Sequence, residues 1–353
     1  RAHRWLGIAS LVLMLVHNQV EPDFEHLVKE SSIGEIAEGL GEVALYGLIA
    51  LLLVSWIKRI PVLDWEVPYQ FWWLSHRLTG SFFALVALHQ LMIGTPYRWT
   101  DPLAVYLNVF CGVGLASYVF IELLARRLRR RPYRVEALER QVGATELVLS
   151  PLGRPMRWRA GQFAFLSVPG VSLGEAHPFT IAAPPQATYE IRFSIKPLGD
   201  WTRRLPETIS PGAMVEVEGP YGCFNYRKGR SQQIWIAGGI GITPFLACAQ
   251  TLGAEKDYRI HLLYAVRREH EAIGLDVLRE IARTMPSLSF DLAVSSSEGR
   301  FDADRLVTRA PFSPKEADLF FCGPTGLRQA LLQGLEARGL TPKRTYYEYF
   351  EFR

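Results

Sequence analysis

The stretch QIWIAGGIGITPFLACAQTLG, residues 233–253, changes pattern halfway, and that change decides the fold of the chain's second half. An apolar run typical of a strand ends in Gly238, Gly239 and Gly241, and an apolar segment of helical length follows. Glycine permits close backbone approach at such a turn, and the N–H groups of a helix N-terminus attract a pyrophosphate. The spacing is not GxGxxG, so this stretch alone leaves an ordinary strand–turn–helix unit open.

Two segments downstream repeat the order of strand, turn and helix. RIHLLYAV (259–266) and DLFFCGP (318–324) each precede a helical pattern, which predicts a parallel sheet with right-handed crossovers. Arg267 and Arg268 follow the first of these strands, where the 2′-phosphate of a bound nucleotide would lie. Arginine suits phosphate, and no acidic residue ends that strand to hold a ribose diol. The pair therefore favours NADPH, with NADH second and a solvated arginine pair as the alternative.

Upstream of the glycine turn, residues 135–226 show short β-rich runs separated by glycine and proline turns, which predicts a small antiparallel barrel. Three stretches stand out there: HPFTIAAPP (177–185), IRFSIKPLGDWT (191–202) and GPYGCF (219–224). Taken singly they are weak signals, and a loop-rich barrel without a ligand is the alternative.

The first 128 residues differ from the rest, because long apolar runs alternate with short polar stretches. The four segments that approach the roughly 20 apolar residues needed to cross a bilayer are about 1–19, about 39–57, about 70–94 and about 103–125. One alone could be a buried soluble helix, but four in a row with Trp and Tyr near their ends predict a transmembrane bundle. The chain begins at Arg1 within an apolar run, so we expect further sequence upstream.

Lysine and arginine in the connections predict how the bundle is oriented. Arg1 and Arg4 precede the first segment, Lys58 and Arg59 follow the second, and RRLRRRPYR (126–134) follows the fourth. The first loop, by contrast, is acidic. Basic residues mark the cytoplasmic side. The start of the chain, the second connection and everything after residue 126 are therefore predicted to lie on the cytoplasmic side of the cell membrane.

Composition excludes several classes of protein. The net charge of +4 is modest and gives no case for nucleic acid. The cysteines show neither a CxxC pair nor a zinc spacing, which argues against a disulfide framework and a zinc site; they are Cys111, Cys223, Cys248 and Cys322.

Four histidines lie in the first and third apolar segments: His3, His17, His76 and His89. A buried or interfacial histidine is the alternative for any one, but an ionisable residue in a membrane span is a functional hypothesis by default. The two segments run in parallel, which places the first member of each at the inner level and the second at the outer level. Two imidazoles facing each other can hold a haem iron from both sides and favour electron transfer. The pattern predicts two bis-histidine haems.

The spacing within the third segment conflicts with a straight helix. At about 100° per residue, 14 residues return within about 40° of one face, whereas 13 residues miss it by about 140°. His3 and His17 are 14 apart, but His76 and His89 are 13 apart. We therefore predict a distortion in the third segment near Thr79 and Gly80.

In the order HPFT, GDWT, GPYG, GGIGITP and CGP, these motifs resemble the ferredoxin–NADP reductase superfamily. HPFT in place of RxYS indicates its membrane branch, the NADPH oxidases and ferric reductases, whose helices carry two histidine pairs at such spacings. The resemblance covers essentially the whole chain, although family members typically have six transmembrane helices. It implies a transmembrane di-haem helical bundle at 1–130, an antiparallel β-barrel FAD domain at 131–227 and an α/β parallel-sheet NAD(P)-binding domain at 228–353.

The resemblance also implies roles for single residues. Those that would line FAD or hold its phosphates are His177, Pro178, Phe179, Thr180, Lys196, Gly199, Thr202 and Gly222. Those that would cradle the NAD(P)H pyrophosphate or border the nicotinamide are Gly238, Gly239, Gly241, Thr243, Cys322, Gly323 and Pro324. Phe350 would lie over the isoalloxazine, with an ordinary strand-facing aromatic as the alternative. The catalytic positions would be Thr180, Cys322 and Phe350.

The function predicted in this way is that of a membrane NADPH oxidase. Electrons from cytoplasmic NADPH would pass through FAD and two haem b groups to oxygen on the outer side, giving superoxide. A ferric-chelate reductase, or a donor to another extracytoplasmic acceptor, is the alternative within the same framework. A non-enzymatic membrane scaffold is a further alternative, against which the intact glycine turns, HPFT and the four histidines argue. The sequence identifies no protein partner.

Overall fold

The computed structural model describes residues 2–19, 32–56, 59–60, 65–66, 69–92, 100–169, 176–253 and 258–348. The chain divides into two compact units, a helical unit that ends at Leu128 and a second unit that begins at Arg129.

The helical unit contains long α-helices and one short hairpin. Its helices are α1 (Ala2–Gln19), α2 (Ser32–Trp56), α3 (Tyr69–Arg77), α4 (Thr79–Met92), α5 (Pro102–Val119), a π-helix (Phe120–Ala125) and α6 (Arg126–Arg129). Strands β1 (Arg59–Ile60) and β2 (Trp65–Glu66) pair in antiparallel fashion. Helix α2 packs against α4 at Gly47, where an added Cβ would lie 2.0 Å from the Phe82 ring. Glycine therefore sets how closely these two helices approach.

Among the described residues, two of the four predicted spans contain a helix that is long and apolar enough to cross a bilayer. These helices are Gly34–Ser55 and Pro102–Ala125. The prediction of four spans, the third with a distortion, is thus corrected to two helices of sufficient length among the described residues. The third predicted span is divided at Leu78 into α3 and α4, and α1 is only 18 residues long and contains several polar side chains.

The division at Leu78 confirms the distortion that the histidine spacing predicted. The backbone N–H of Leu78 donates to the carbonyl of Ser75 at 3.0 Å, a three-residue step that tightens the turn. The hydroxyl of Thr79 donates to the carbonyl of His76 at 2.6 Å. The chain therefore changes its helical phase between His76 and His89.

The second unit begins with a six-stranded antiparallel sheet. Its strands are β3 (Arg130–Gln141), β4 (Ala144–Pro151), β5 (Phe163–Ser167), β6 (His177–Thr180), β7 (Ile191–Ile195) and β8 (Met214–Tyr221), in the spatial order β6-β5-β8-β3-β4-β7. A bridge between Ile181 and Phe193 joins the two ends of this order, which closes the sheet into the predicted barrel. Helix α7 (Asp200–Thr208) follows β7, and the barrel core includes Tyr133, Leu147 and Phe193.

A five-stranded parallel sheet completes the second unit. Its strands are β9 (Gln232–Gly238), β10 (Arg259–Val266), β11 (Leu288–Val294), β12 (Asp318–Cys322) and β13 (Arg344–Glu348), in the order β11-β10-β9-β12-β13. The helices between and beside them are α8 (Thr243–Ala249), α9 (Leu275–Thr284), α10 (Ser295–Glu298), α11 (Ala303–Arg309) and α12 (Thr325–Ala337). The parallel sheet is as predicted.

Both faces of this sheet are covered, which explains the continuous apolar run of β9. Trp235 and Ala237 belong to the core on one face, whereas Ile234 and Ile236 belong to the core on the other. A strand buried on both sides lacks the alternation of polar and apolar residues seen in half-exposed strands. The strand order reverses between β9 and β12, and ligands of such sheets bind at the carboxyl ends of strands flanking the reversal.

Candidate functional site

Strand β6 carries HPFT, and aromatic rings pack against it. The His177 imidazole stacks on the Trp201 indole, with centroids 4.2 Å apart. The Phe179 ring lies 5.9 Å from the same indole. Thr180 is buried, and no hydrogen-bond partner for its Oγ1 occurs among the described residues. A buried hydroxyl costs free energy unless it finds a partner, so this wall fits a polar ligand such as a flavin ring.

The turn before α7 holds its own backbone in place. The Oγ1 of Thr202 accepts hydrogen bonds from the N–H groups of Leu198 and Gly199, both at 3.0 Å, and donates to the Gly199 carbonyl. Lys196 is half-buried just before this turn. Of the residues predicted to hold the flavin phosphates, Thr202 thus orders the turn, while the lysine supplies the positive charge.

The predicted glycine turn lies at the reversal of strand order, where β9 and β12 end. An added Cβ at Gly241 would lie 2.2 Å from the carbonyl oxygen of Cys322, and one at Gly238 would lie 2.8 Å from Cδ of Pro324. Gly323 has φ +157° and faces the Gly238 backbone. The two turns therefore contact each other backbone to backbone, a close approach that side chains would prevent.

The remaining residues of these turns are positioned by the same contacts. Gly239 has φ +56°, in the left-handed region that favours glycine. The buried Thr243 hydroxyl donates to the Ile240 carbonyl at 3.1 Å at the start of α8. The turn after β9 and the turn after β12, more than 80 residues apart in the sequence, thus form one edge of a crevice. A dinucleotide-binding site requires such an arrangement.

A cavity of about 430 Å³ opens beside the end of β13. Its lining comes from the segment around Gly222 and from β13: Phe163, Gly222, Cys223, Phe224, Asn225, Thr345, Tyr346, Tyr347 and Glu348. Gly222 has φ +92°, and an added Cβ there would lie 3.0 Å from the Phe163 ring and 3.5 Å from Oε1 of Glu348. The predicted Gly222 position thus borders a space large enough for part of a ligand.

Glu348 was not predicted from the sequence, and it is the acidic group of this cavity. Burial raises its pKa to about 7. Its Oε2 is buried without a hydrogen-bond partner among the described residues. Burial, with the nearby Glu348 charge second, also raises the pKa of the Cys322 thiol, so that the thiol stays protonated. A carboxyl group with a pKa near 7 is partly protonated at neutral pH, and its protonated form can donate a hydrogen bond to a ligand. The sequence feature that could have indicated Glu348 is an acidic residue between aromatic residues at the end of the last strand.

Two predicted positions, Arg267 and Arg268, lie away from these contacts. Arg267 and Arg268 are exposed after the carboxyl end of β10, where the sequence placed a 2′-phosphate. Phe350, predicted to lie over the flavin ring, falls outside the described residues.

In the helical unit, the four predicted histidines form two pairs. The rings of His3 and His76 have centroids 5.9 Å apart, and those of His17 and His89 have centroids 6.5 Å apart. The planes are nearly perpendicular, at 87° and 80°. A metal ion bonded at about 2 Å to a nitrogen of each of two opposed imidazoles separates their centroids by about 6 Å. Each pair therefore fits a bis-histidine haem iron.

An ion pair lies beside the inner histidine pair. Arg77, next to His76, donates through Nε and Nη2 to the carboxylate of Glu122, with the Nε–Oε2 contact at 3.1 Å. Glu122 belongs to the π-helix, whose wider turn brings it to Arg77 across 45 positions of sequence. Among the described residues, no cluster of three or more His, Cys, Asp or Glu side chains could hold a metal ion by itself.

Comparison with known proteins identifies the two halves of the second unit. Residues 135–225 match an FAD-binding domain, and residues 235–333 match an oxidoreductase NAD-binding domain. The electron transfer component of toluate 1,2-dioxygenase from Pseudomonas putida is 30% identical over 54% of this chain and 58% of its own length. Ferric reduction oxidase 7 from Arabidopsis thaliana is 28% identical over 70% of this chain and 34% of its own length. This chain spans less than two thirds of either relative.

Solved structures agree with the fold. The flavohemoglobin from Malassezia yamatoensis, with bound FAD and haem, superposes with a TM-score of 0.58 at 20% identity, covering 96% of this chain and 91% of that chain. At this identity the likeness extends to the fold alone. The second unit therefore carries the FAD-binding and NAD(P)-binding domains of the ferredoxin–NADP reductase family.

Proposed function

Because the second unit is an electron-transfer oxidoreductase of the ferredoxin–NADP reductase family, we propose that the protein is a transmembrane NADPH oxidase of the cell membrane. It takes electrons from NADPH on the cytoplasmic side and delivers them to oxygen on the outer side as superoxide. FAD and two haem b groups are its cofactors. Its domains are a haem bundle at 1–130, an FAD barrel at 131–227 and a nucleotide-binding domain at 228–353.

The observation that carries the proposal is the pairing of four histidines on helices of one unit. The sequence separates each pair by more than 70 positions, yet His3 approaches His76 and His17 approaches His89 at distances that suit one iron each. Two such pairs at two levels of a helical unit supply two one-electron sites. An electron-transfer chain that crosses a membrane needs relay sites of this kind along its helices.

The surface of the helical unit supports a membrane location. In an 18-residue apolar stretch of Gly34–Ser55 and of Pro102–Ala125, only 11% and 6% of the residues are buried, so few of these apolar side chains are enclosed by the protein. Phe110 and Val113, for example, are each 61% exposed. An apolar surface of this extent is unusual for a soluble protein and is typical of helices that contact lipid.

The second unit supplies the binding surfaces for NADPH and FAD. The β6 wall and Thr180 would hold the flavin ring, the α7 turn and Lys196 would face its phosphates, and the glycine turns would hold the NADPH pyrophosphate. Arg267 and Arg268 would bind the 2′-phosphate that distinguishes NADPH from NADH. FAD, when bound, accepts the two electrons of a hydride and permits their release one at a time, which haem iron requires.

The haem proposal is tested on the full-length protein purified in detergent. We expect a Soret band and two haems per chain in a pyridine haemochrome assay. His76→Ala and His89→Ala should each lower the haem content toward one, because each removes one axial ligand. His270→Ala, on an exposed residue of the second unit, is the matched control and should retain two. A protein without a Soret band, or one whose haem content follows the control in both variants, would refute the proposal.

The acceptor is tested by NADPH-driven reduction of cytochrome c with and without superoxide dismutase. We expect dismutase to abolish the signal, since superoxide is then the species that reduces cytochrome c. A signal that survives dismutase would instead support direct transfer to ferric chelates or to a protein. A protein acceptor is the second candidate, because the relative from Pseudomonas putida is an electron transfer component of a dioxygenase.

A further inference from the structure

Helix α2 contacts one member of each histidine pair, at opposite ends of its length. Near its C-terminal end, Ser55 approaches His76, and near its N-terminal end, the carbonyl of Ala37 approaches His89. Both contacts are made to Nδ1 of the imidazole. The same ring nitrogen is therefore engaged in both pairs.

The contact at Ser55 determines which nitrogen of His76 carries a proton. The Ser55 hydroxyl donates its single hydrogen to the carbonyl of Leu51 at 2.7 Å. Its oxygen lies 3.2 Å from Nδ1 of His76 and has only lone pairs left to offer. Nδ1 of His76 must then donate, so that Nε2 keeps a free lone pair for a metal ion.

The contact at Ala37 has the same consequence for His89. A carbonyl oxygen can only accept, and that of Ala37 lies 2.8 Å from Nδ1 of His89, which must therefore carry the hydrogen. In an α-helix the residue four positions later covers such a carbonyl. Here that residue is Gly41, where an added Cβ would lie 2.7 Å from Nδ1 of His89. The missing side chain leaves the carbonyl open to the imidazole.

We propose that helix α2 is the positioning element for both haem sites, with Ser55 serving the inner site and the Ala37 carbonyl, opened by Gly41, serving the outer one. This inference rests on the proposed haem function. Each hydrogen bond fixes Nε2 as the nitrogen that faces the iron, and it makes the imidazole a stronger electron donor. Stronger donation favours ferric iron and lowers the reduction potential of that haem.

The test is a potentiometric titration of the two haems in the full-length, detergent-purified protein. Ser55→Ala should raise one of the two midpoint potentials, because the imidazole of His76 loses its acceptor. A tenfold change in the ferric–ferrous equilibrium corresponds to about 59 mV for one electron. Ser55→Thr keeps a hydroxyl that can accept from Nδ1 and should restore the wild-type potential. Gly41→Ala should shift the other haem and weaken its retention by about 10- to 100-fold.

Gly39→Ala is the matched control on the same helix, since an added Cβ there meets no atom within 4 Å. It should leave both potentials unchanged. Suppose that the wild-type protein holds two haems and that Ser55→Ala, Gly41→Ala and Gly39→Ala all show the wild-type potentials. That result would overturn this inference while leaving the proposed function intact. A wild-type protein without a Soret band would instead remove the proposed function and this inference together.

Discussion

The glycines of the two units face different kinds of neighbour. In the helical unit, added Cβ atoms at Gly47, Gly80 and Gly114 would meet the rings of Phe82, Tyr118 and Phe83. In the second unit, the tightest contacts are with backbone atoms: added Cβ atoms at Gly161 and Gly241 would each lie 2.2 Å from a carbonyl oxygen. A side-chain ring can rotate or shift, whereas a main-chain carbonyl held in a strand, such as that of Cys322 in β12, cannot.

This difference indicates how each unit fixes the geometry of its candidate site. The second unit fixes its dinucleotide turns by contact between two main chains, so its site is built by the fold itself. The helical unit fixes helix spacing through rings and leaves its histidines on the helix surface, where hydrogen bonds to Ser55 and the Ala37 carbonyl orient two of them. Substitutions of glycine should therefore be far more damaging in the second unit.

The largest effect is expected for Gly241→Ala. The new Cβ would overlap the Cys322 carbonyl, and neither main chain can retreat without breaking the parallel pairing of β9 with β12. We expect a loss of about 3 kcal/mol in the stability of the second unit and loss of NADPH-driven ferricyanide reduction. Thermal unfolding followed by flavin fluorescence measures the first, and steady-state kinetics measure the second.

Gly326→Ala is the control for that substitution, because it lies in α12 and an added Cβ meets no atom within 4 Å. Alanine has the higher helix propensity, so this variant should gain up to about 1 kcal/mol. If Gly241→Ala unfolded at the same temperature as Gly326→Ala, the main-chain contact between the two turns would not constrain the site.

A second expected effect comes from Glu348. Its pKa is raised from 4.5 to about 7 by burial, so the folded state keeps a proton that the unfolded state loses. The contribution of Glu348 to stability is therefore largest below pH 4.5, falls as pH rises toward 7, and stays reduced above it. Glu348→Gln should remove this loss and be more stable than wild type at pH 8 by on the order of 2 kcal/mol, with no difference at pH 4.5.

Unfolding midpoints across this pH range measure the effect, with Glu336→Gln as a control on the exposed side of α12. The control should follow wild type at every pH. A Glu348→Gln curve parallel to that of wild type would mean that the carboxyl is ionised in the folded protein.

Sequence patterns predicted the turns because their geometry depends on residues close together in the chain. Gly238, Gly239 and Gly241 mark a strand–turn–helix unit by themselves, and the 13-residue spacing of His76 and His89 predicted the division at Leu78. Glu348 escaped prediction because its burial depends on which strands are neighbours. The register of β12 with β13 places Glu348 opposite Cys322, and sequence patterns do not report register between distant strands.

The hydrogen-bond partners of His76 and His89 escaped prediction for a related reason. Ser55 and His76 are 21 positions apart, and Ala37 and His89 are 52 apart. Their meeting depends on how α2 packs against α3 and α4, which the apolar pattern of each helix leaves undetermined. The π-helix that brings Glu122 to Arg77 is likewise invisible in an apolar segment with a helical repeat.

A third, smaller effect is expected for Gly47→Ala in the helical unit. The added Cβ would meet the Phe82 ring, which can shift, and alanine improves the propensity of α2. We expect a net loss of about 1 kcal/mol, read as thermal unfolding of the detergent-purified protein. Gly112→Ala, where an added Cβ meets no atom within 4 Å, is the control. A loss as large as that of Gly241→Ala would contradict the distinction between ring and main-chain neighbours.

The smallest effect concerns His261, whose dependence on pH runs opposite to that of Glu348. Its Nδ1 lies 2.7 Å from the Ser289 hydroxyl, and burial lowers its pKa below 6.5, although the Asp291 carboxylate 3.6 Å from Nε2 opposes the shift. His261 therefore binds a proton in the unfolded chain at a pH where it stays neutral in the folded chain, and its contribution to stability falls as pH drops through 6.5. His261→Gln should remove this loss of stability at acidic pH, the acidic limb of the stability curve, whereas His270→Gln at an exposed position should not.

Ionisation of Glu348 changes stability in the same pH range with the opposite sign. The double variant His261→Gln with Glu348→Gln separates the two effects. If the acidic limb persisted in that double variant, a group other than His261 would be its source.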